Sequence, residues 1–252
     1  MNNAMGAALA IIGLGIIVLL IFYVILKAQS RPNTSSRSIP MFNALGEEVR
    51  RSAEEGSFIH VAVGSGSIIG EEALISIGAL EGLRDMSDLS AAYDTPLTIT
   101  AGDPILYLMA DDWMRRSYVK LGSVGRYRPT RVQFTAATPV TYAAMTALYL
   151  YDKKVGSNVM MGEFGQEVNL IAEAAGRRGT YSSGGVASPP AMAGLYPLLG
   201  REQLALGEEL FAGAAEVTGR PIYRASLWAQ DILRILLVFA LFAGIFLAPL
   251  WK

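Results

Sequence analysis

The chain contains no cysteine, which excludes disulfides, thiol catalysis and cysteine-ligated zinc. It has one histidine, His60, so imidazoles cannot assemble a metal site either. Net charge is nearly absent: 21 basic side chains face 22 acidic ones in 252 residues. No basic field therefore exists to gather nucleic acid, and no acidic tail is present. No Gly-Lys-Ser/Thr closes a P-loop, and no Gly-x-Ser-x-Gly elbow presents a nucleophile. No set of residues identifies a reaction: no catalytic residue and no metal ligand is assigned, and any cofactor is unknown.

What the chain has in quantity is uncharged apolar sequence at both ends. Residues 4–26 carry no charge, nor do residues 235–250, which Ile232 and Leu233 extend across Arg234. A bilayer core about 30 Å thick needs roughly 20 apolar residues in a helix. The first run meets this, and the second meets it if Arg234 snorkels to the headgroups. A cleaved signal peptide would want a basic start and a shorter apolar stretch, and neither is present. Lys27, Arg31, Arg37, Arg220, Arg224 and Arg234 flank the inner ends of the runs, against Lys252 alone outside. The excess places the central domain on the cytoplasmic side of a membrane, both termini outside. Gly6, Gly13, Ala240 and Gly244 let such helices pack closely in lipid, within one chain or between subunits.

The expected organisation is a span at 4–27, a Ser/Pro/Arg-rich linker at 28–40 and an α/β domain at 41–219. A juxtamembrane amphipathic segment at 220–231 and a second span at 232–251 follow. Within the domain, short β-rich runs (FIHVAV, LTITA, RVQFTA and 159–161) alternate with helical periodicity. A weaker strand is expected near 180–182, then a loop and a last helix over 202–217. Such alternation predicts a Rossmann-like open, mostly parallel sheet with helices on both faces. Residues 100–104 (TAGDP) and 135–139 (TAATP) pair an N-cap, Asp103 or Thr138, with a proline at the first helical position. Residues 132–151 carry no charge, but the β-branched start reads as a strand leading into a helix. That helix is apolar all round, so it is either central in the packing or turns its second face to another subunit.

In an open parallel sheet, ligands bind beyond the carboxyl ends of the strands. The first such turn is Gly64-Ser65-Gly66-Ser67-Ile68-Ile69-Gly70. Its Gly-x-Gly-x-x-x-Gly spacing is one residue longer than the dinucleotide fingerprint, and Glu71 and Glu72 would repel a phosphate there. The turn reads either as a nucleotide or anion site or as a tight turn where strand and helix pack closely. The same rim offers Asp103, Thr138 and Glu163 as candidate ligand-binding residues, and a mobile Ser-Gly turn at 182–185. Asp103 reads first as a helix cap. His60, inside a strand, reads as a satisfied core histidine. Arg115, Arg116, Lys120, Arg126, Arg128 and Arg131 surround one loop, as ordinary surface charge or as contacts to anionic lipid.

The apolar opening helix, Arg-Pro-x-x-x-Ser at 31–36, the motifs FIHVAVGSG, LTITAGDP and MGEFGQE, and the closing AQDILRILLVF carry a resemblance along nearly the whole chain. In them the protein resembles an uncharacterised bacterial family of membrane-anchored proteins, with a domain of unknown function between two terminal transmembrane helices. The resemblance implies architecture and no activity. Two functions follow. One is a structural or assembly component, partnered by the bilayer and by further copies or other membrane subunits. The other is a membrane-bound enzyme or sensor that takes a nucleotide-like anion at Gly64, Gly66 and Gly70.

Overall fold

The structure is a computed structural model that describes residues 38–70, 72–218 and 230–238, with positions 13, 15, 19, 22 and 23. The chain divides into two units, 37–218 and the terminal segments 1–36 with 219–252. Most of both apolar runs, and most of the expected juxtamembrane segment 220–231, lie outside the described residues. Positions 13, 15, 19, 22 and 23 and the segment 230–238 are helical. Among the described residues no helix is long and apolar enough to cross a membrane. The flanking spans thus rest on the sequence alone.

The unit 37–218 is a six-stranded sheet in the order β3-β2-β1-β4-β5-β6, every neighbouring pair parallel. The strands are β1 (Phe58–Gly64), β2 (Leu97–Ala101), β3 (Val132–Phe134), β4 (Val155–Glu163), β5 (Tyr181–Val186) and β6 (Leu204–Leu206). They are linked by α1 (Pro40–Glu55), α2 (Ala73–Tyr93), α3 (Pro104–Lys120), α4 (Pro139–Asp152), α5 (Val168–Arg177), α6 (Pro189–Leu195) and α7 (Glu208–Thr218). Helix α2 packs against α1, α3 and α7 on one face, while α4 packs on α5 and α5 on α6 on the other. β1 and β2 are covered on both faces, which is why they read as near-continuous apolar runs. The expected α/β class and parallel sheet are found. The strand order reverses direction between β1 and β4, the place where this topology forms its ligand crevice.

Helix α1 carries Phe42, Leu45 and Val49 at helical spacing, and all three are buried. It ends at Gly56, whose φ of 60° supplies the left-handed residue that closes a helix. Three expectations need correction. Residues 182–185 are no mobile turn: they lie inside β5, fully covered, because Gly184 and Gly185 let helices close over the strand. A Cβ on Gly185 would sit 2.9 Å from Leu210 Cδ1 and 2.9 Å from Met161 Cγ. Residues 204–206, read as the start of the last helix, form β6 instead, because pairing with β5 outweighs local helix propensity in so short a segment. Thr138 stands at the N-cap of α4 without capping it; its hydroxyl donates to Thr141 Oγ1 at 2.7 Å.

Helix α4 is half core and half surface. Tyr142, Ala143, Thr146 and Leu150 are buried against the sheet and α5. Val140, Thr141, Ala144, Met145, Leu148 and Tyr151 are exposed. At 100° per residue these six fill an arc of about 140°, and none is charged. Of the two readings of this helix, burial on all sides is the one that fails among the described residues.

Candidate functional site

The crevice between the carboxyl ends of β1 and β4 is built by crowding. Gly64 stands in register with Glu163, and Ser65 N–H donates to Glu163 O at 3.2 Å. Gly64 has φ 86°, and a Cβ there would lie 3.1 Å from Glu163 N and nearer still to its carbonyl oxygen. Gly162 has φ 151°, and its Cβ would run into the Val63 carbonyl. These glycines are required by two backbones in close contact and by a conformation that L side chains resist. At Gly66 the missing Cβ is replaced by the side chain of Glu163, with Glu72 Oε2 3.1 Å away. Ser65 lies against Gly102 of the next turn, whose N–H donates to Gly64 O at 2.9 Å.

The rest of the turn is closed by its own side chains. Ser67 N–H donates to Glu72 Oε2 at 3.2 Å, and Ile69 N–H to Ser67 Oγ at 3.1 Å. Gly70, with φ 99°, takes the left-handed conformation shortly before α2, and a Cβ there would meet nothing within 4 Å. Beyond β4, Gly165 N–H donates to Glu167 Oε1 at 2.7 Å. Glu163 thus stands in one acidic neighbourhood with Glu72 and Glu167. Burial, then the charges of Glu72 and Glu167, push its carboxyl above the usual range, and its buried Oε2 has no hydrogen-bond partner.

This electrostatic setting is the reverse of a phosphate cradle. At an effective dielectric near 20, an anion about 5 Å from one carboxylate is disfavoured by roughly 3 kcal/mol. Helix α2 begins at Ala73, behind Glu72, so its amides are screened from the crevice by a carboxylate. Among the described residues no group of three or more His, Cys, Asp or Glu side chains is placed to hold a metal ion.

Of the candidate residues, Gly64, Ser65, Gly66 and Glu163 are brought together, with Ser67 beside them through Glu72. Asp103 is committed to capping α3: its Oδ1 accepts Ile105 N–H at 2.8 Å and Leu106 N–H at 3.0 Å. Thr138 follows the edge strand β3, two strand spacings or about 10 Å from β1. Of the basic residues near the 121–131 loop, Arg116 pairs with Asp112, Lys120 with Asp88 and Arg126 with Asp94. Arg131 donates to Tyr118 Oη and lies over that ring.

Beneath the crevice runs a buried polar chain that single residues in the sequence did not disclose. Asn158 Oδ1 lies 2.7 Å from His60 Nδ1, so that nitrogen carries the proton. Nε2 then accepts from Thr100 Oγ1 at 3.1 Å. Tyr142 donates to Thr100 O at 3.0 Å, and its hydroxyl accepts Gly64 N–H at 3.3 Å. The His60 and Tyr149 rings lie 5.3 Å apart. Burial lowers the His60 pKa to about 4 and raises that of Tyr142 to about 12, so neither ionises near neutral pH. These hydrogen bonds tie β4, β1, β2 and α4 together. His60 is the satisfied core histidine that its place in a strand predicts. The one signal for the network was polar residues at 60, 100 and 158 inside apolar strands.

Fold and crevice together define a doubly wound α/β protein of 3-2-1-4-5-6 strand order with an acidic, protein-filled switch point. Residues 3–251 match a family described as a domain of unknown function, DUF6754, and the chain belongs to that family. No curated protein and no solved structure matches the chain.

Proposed function

We propose that this protein is a membrane-held α/β body with an assembly role, an interaction component of a membrane complex and not an enzyme. The observation that carries this reading is the packing of the β1–β4 crevice. Where this strand order would receive a phosphate, the chain places the Glu163 side chain, the Glu72 carboxylate and two abutting backbones. The uncharged outer arc of α4 supports the same reading, since six adjacent exposed positions without a charge suit a protein contact. Membrane attachment is supported by the charge-free runs at 4–26 and 235–250, and the cytoplasmic side by the basic residues at their inner ends. Its partners are the bilayer and further copies or other membrane subunits.

A second reading keeps a ligand at the switch point. The partnerless Oε2 of Glu163 favours it, since a carboxylate at this crevice can accept a hydroxyl from a nucleoside-like ligand. Thermal unfolding of the detergent-solubilised chain against a nucleotide panel separates the two. No stabilisation is the expected result. A clear rise in Tm that Gly66→Val abolishes would replace the assembly reading with the binding one.

A further inference from the structure

The amino end of the sheet holds a bulge. Phe58 stands in register with Val155 and Ile59 with Ser157, so Gly156 of β4 has no opposite residue on β1. A bulge leaves its extra residue outside the ladder and bends the strand. Helix α1 packs on β1 and β4, and its Glu48 and Ser52, one turn apart, are both buried. A Cβ on Gly156 would run into the Ser57 hydroxyl and lie 3.7 Å from Ser52 Oγ. Ser157 stands beside the Glu48 carboxyl, which pairs with Arg51. The bulge thus gathers serines from α1, from the turn before β1 and from β4.

Ser52, Ser57 and Ser157 are exposed by 1 %, 2 % and 0 %, and the Oγ of each has no hydrogen-bond partner. Other buried hydroxyls at this end of the sheet are satisfied. Ser90 Oγ donates to Thr95 O at 2.6 Å, and Thr180 Oγ1 to Val155 O at 3.0 Å. A buried hydroxyl left unpaired is destabilising, and three in one place are conspicuously so. Each serine hydroxyl can both donate and accept, so a ligand that does both would satisfy all three. Charge narrows its class. The carboxylate beside these hydroxyls is already matched by Arg51 and draws no cation, while an anion would be repelled by it. A small neutral molecule remains, and folded proteins hold on the order of one buried water per 27 residues at such groups.

We infer that the bulge at Gly156 binds a water molecule inside the protein, held by the hydroxyls of Ser52, Ser57 and Ser157 and joining α1 to the amino ends of β1 and β4. The site lies at the opposite end of the strands from the crevice, so neither reading of that crevice bears on it.

Thermal unfolding of the detergent-solubilised full chain tests this through the sign of the change. With no ligand, Ser52→Ala or Ser157→Ala removes an unpaired buried group, and Tm rises. With a water in place, each variant takes away one of its partners, and Tm is expected to fall by roughly 2–4 °C. The two side chains make no hydrogen bond to each other, yet they share the water. The double variant is therefore expected to lose little more than the worse single one. Ser117→Ala is the control, since its hydroxyl donates to Trp113 O within α3 at 3.2 Å, and its effect should add fully to either. A rise in Tm at either serine, or strict additivity of the pair, would overturn the inference. So would a native Tm that falls when sodium and potassium are replaced by tetramethylammonium while that of Ser157→Ala does not, which would put a cation in the site.

Discussion

The hydroxyl of Tyr142 on α4 accepts the backbone N–H of Gly64 at the end of β1, at 3.3 Å. The helix that presents the uncharged outer face therefore also holds the glycine turn in place from beneath. Tyr142→Phe leaves Gly64 N–H and the Thr100 carbonyl without this partner inside the core. An unsatisfied buried group costs about 1–3 kcal/mol. The expected outcome is a loss of that size in denaturant unfolding of the solubilised chain, with the secondary structure retained. An unchanged midpoint would mean that the network bears no load.

The buried His60 makes stability depend on pH with a definite sign. Its folded pKa, about 4, lies below the ordinary 6.5, so the unfolded chain binds more protons between those values. Its contribution is full above pH 6.5 and falls as pH drops toward 4. Over the whole interval the loss amounts to about 3 kcal/mol at 1.36 kcal/mol per pH unit. His60→Gln cannot titrate. The difference in unfolding free energy between native chain and variant should therefore change across pH 6.5 to 4, and a flat difference would refute the assignment.

Glu163 has the opposite sign. Its folded carboxyl is raised by burial and by Glu72 and Glu167, so it favours folding at low pH and loses that as pH rises through the folded value. Glu163→Gln removes the repulsion, and a higher Tm at pH 7 with a smaller gain at pH 4 is the expected pattern. Calorimetry at the two pH values decides it. A lower Tm at pH 7 would mean that the carboxylate has a favourable partner.

Gly66→Ala places a methyl against the Glu163 side chain and near Glu72 Oε2. Overpacking of this kind costs about 1–3 kcal/mol. Combined with Glu163→Ala, which clears the space, most of that loss should return, so the pair couples in a double-mutant cycle. Strict additivity would show that the turn is not packed on Glu163.

The doubly wound architecture was legible because β1, β2 and the TAGDP and TAATP turns combine strand periodicity with capping chemistry. Asp103 performs the cap that its position predicts, while Thr138 turns to Thr141 instead. Residues 182–185 and 204–206 were misread for one physical reason. Ser-Ser-Gly-Gly and Leu-Ala-Leu have weak strand propensity and become strands only through pairing with β4 and with each other. At the crevice, the glycines pointed to the right place. Their cause, the approach of β4 and the Glu163 side chain, depends on a strand about 100 residues away. Spacing within one turn carries no record of such a neighbour.

The claim on which the rest depends is attachment to lipid through the two terminal runs. The direct measurement is an alkaline carbonate wash of membranes from cells that make the chain, followed by detergent extraction of the pellet. The expected result is full retention in the pellet and release by detergent alone. Recovery of intact chain in the carbonate supernatant would contradict the account.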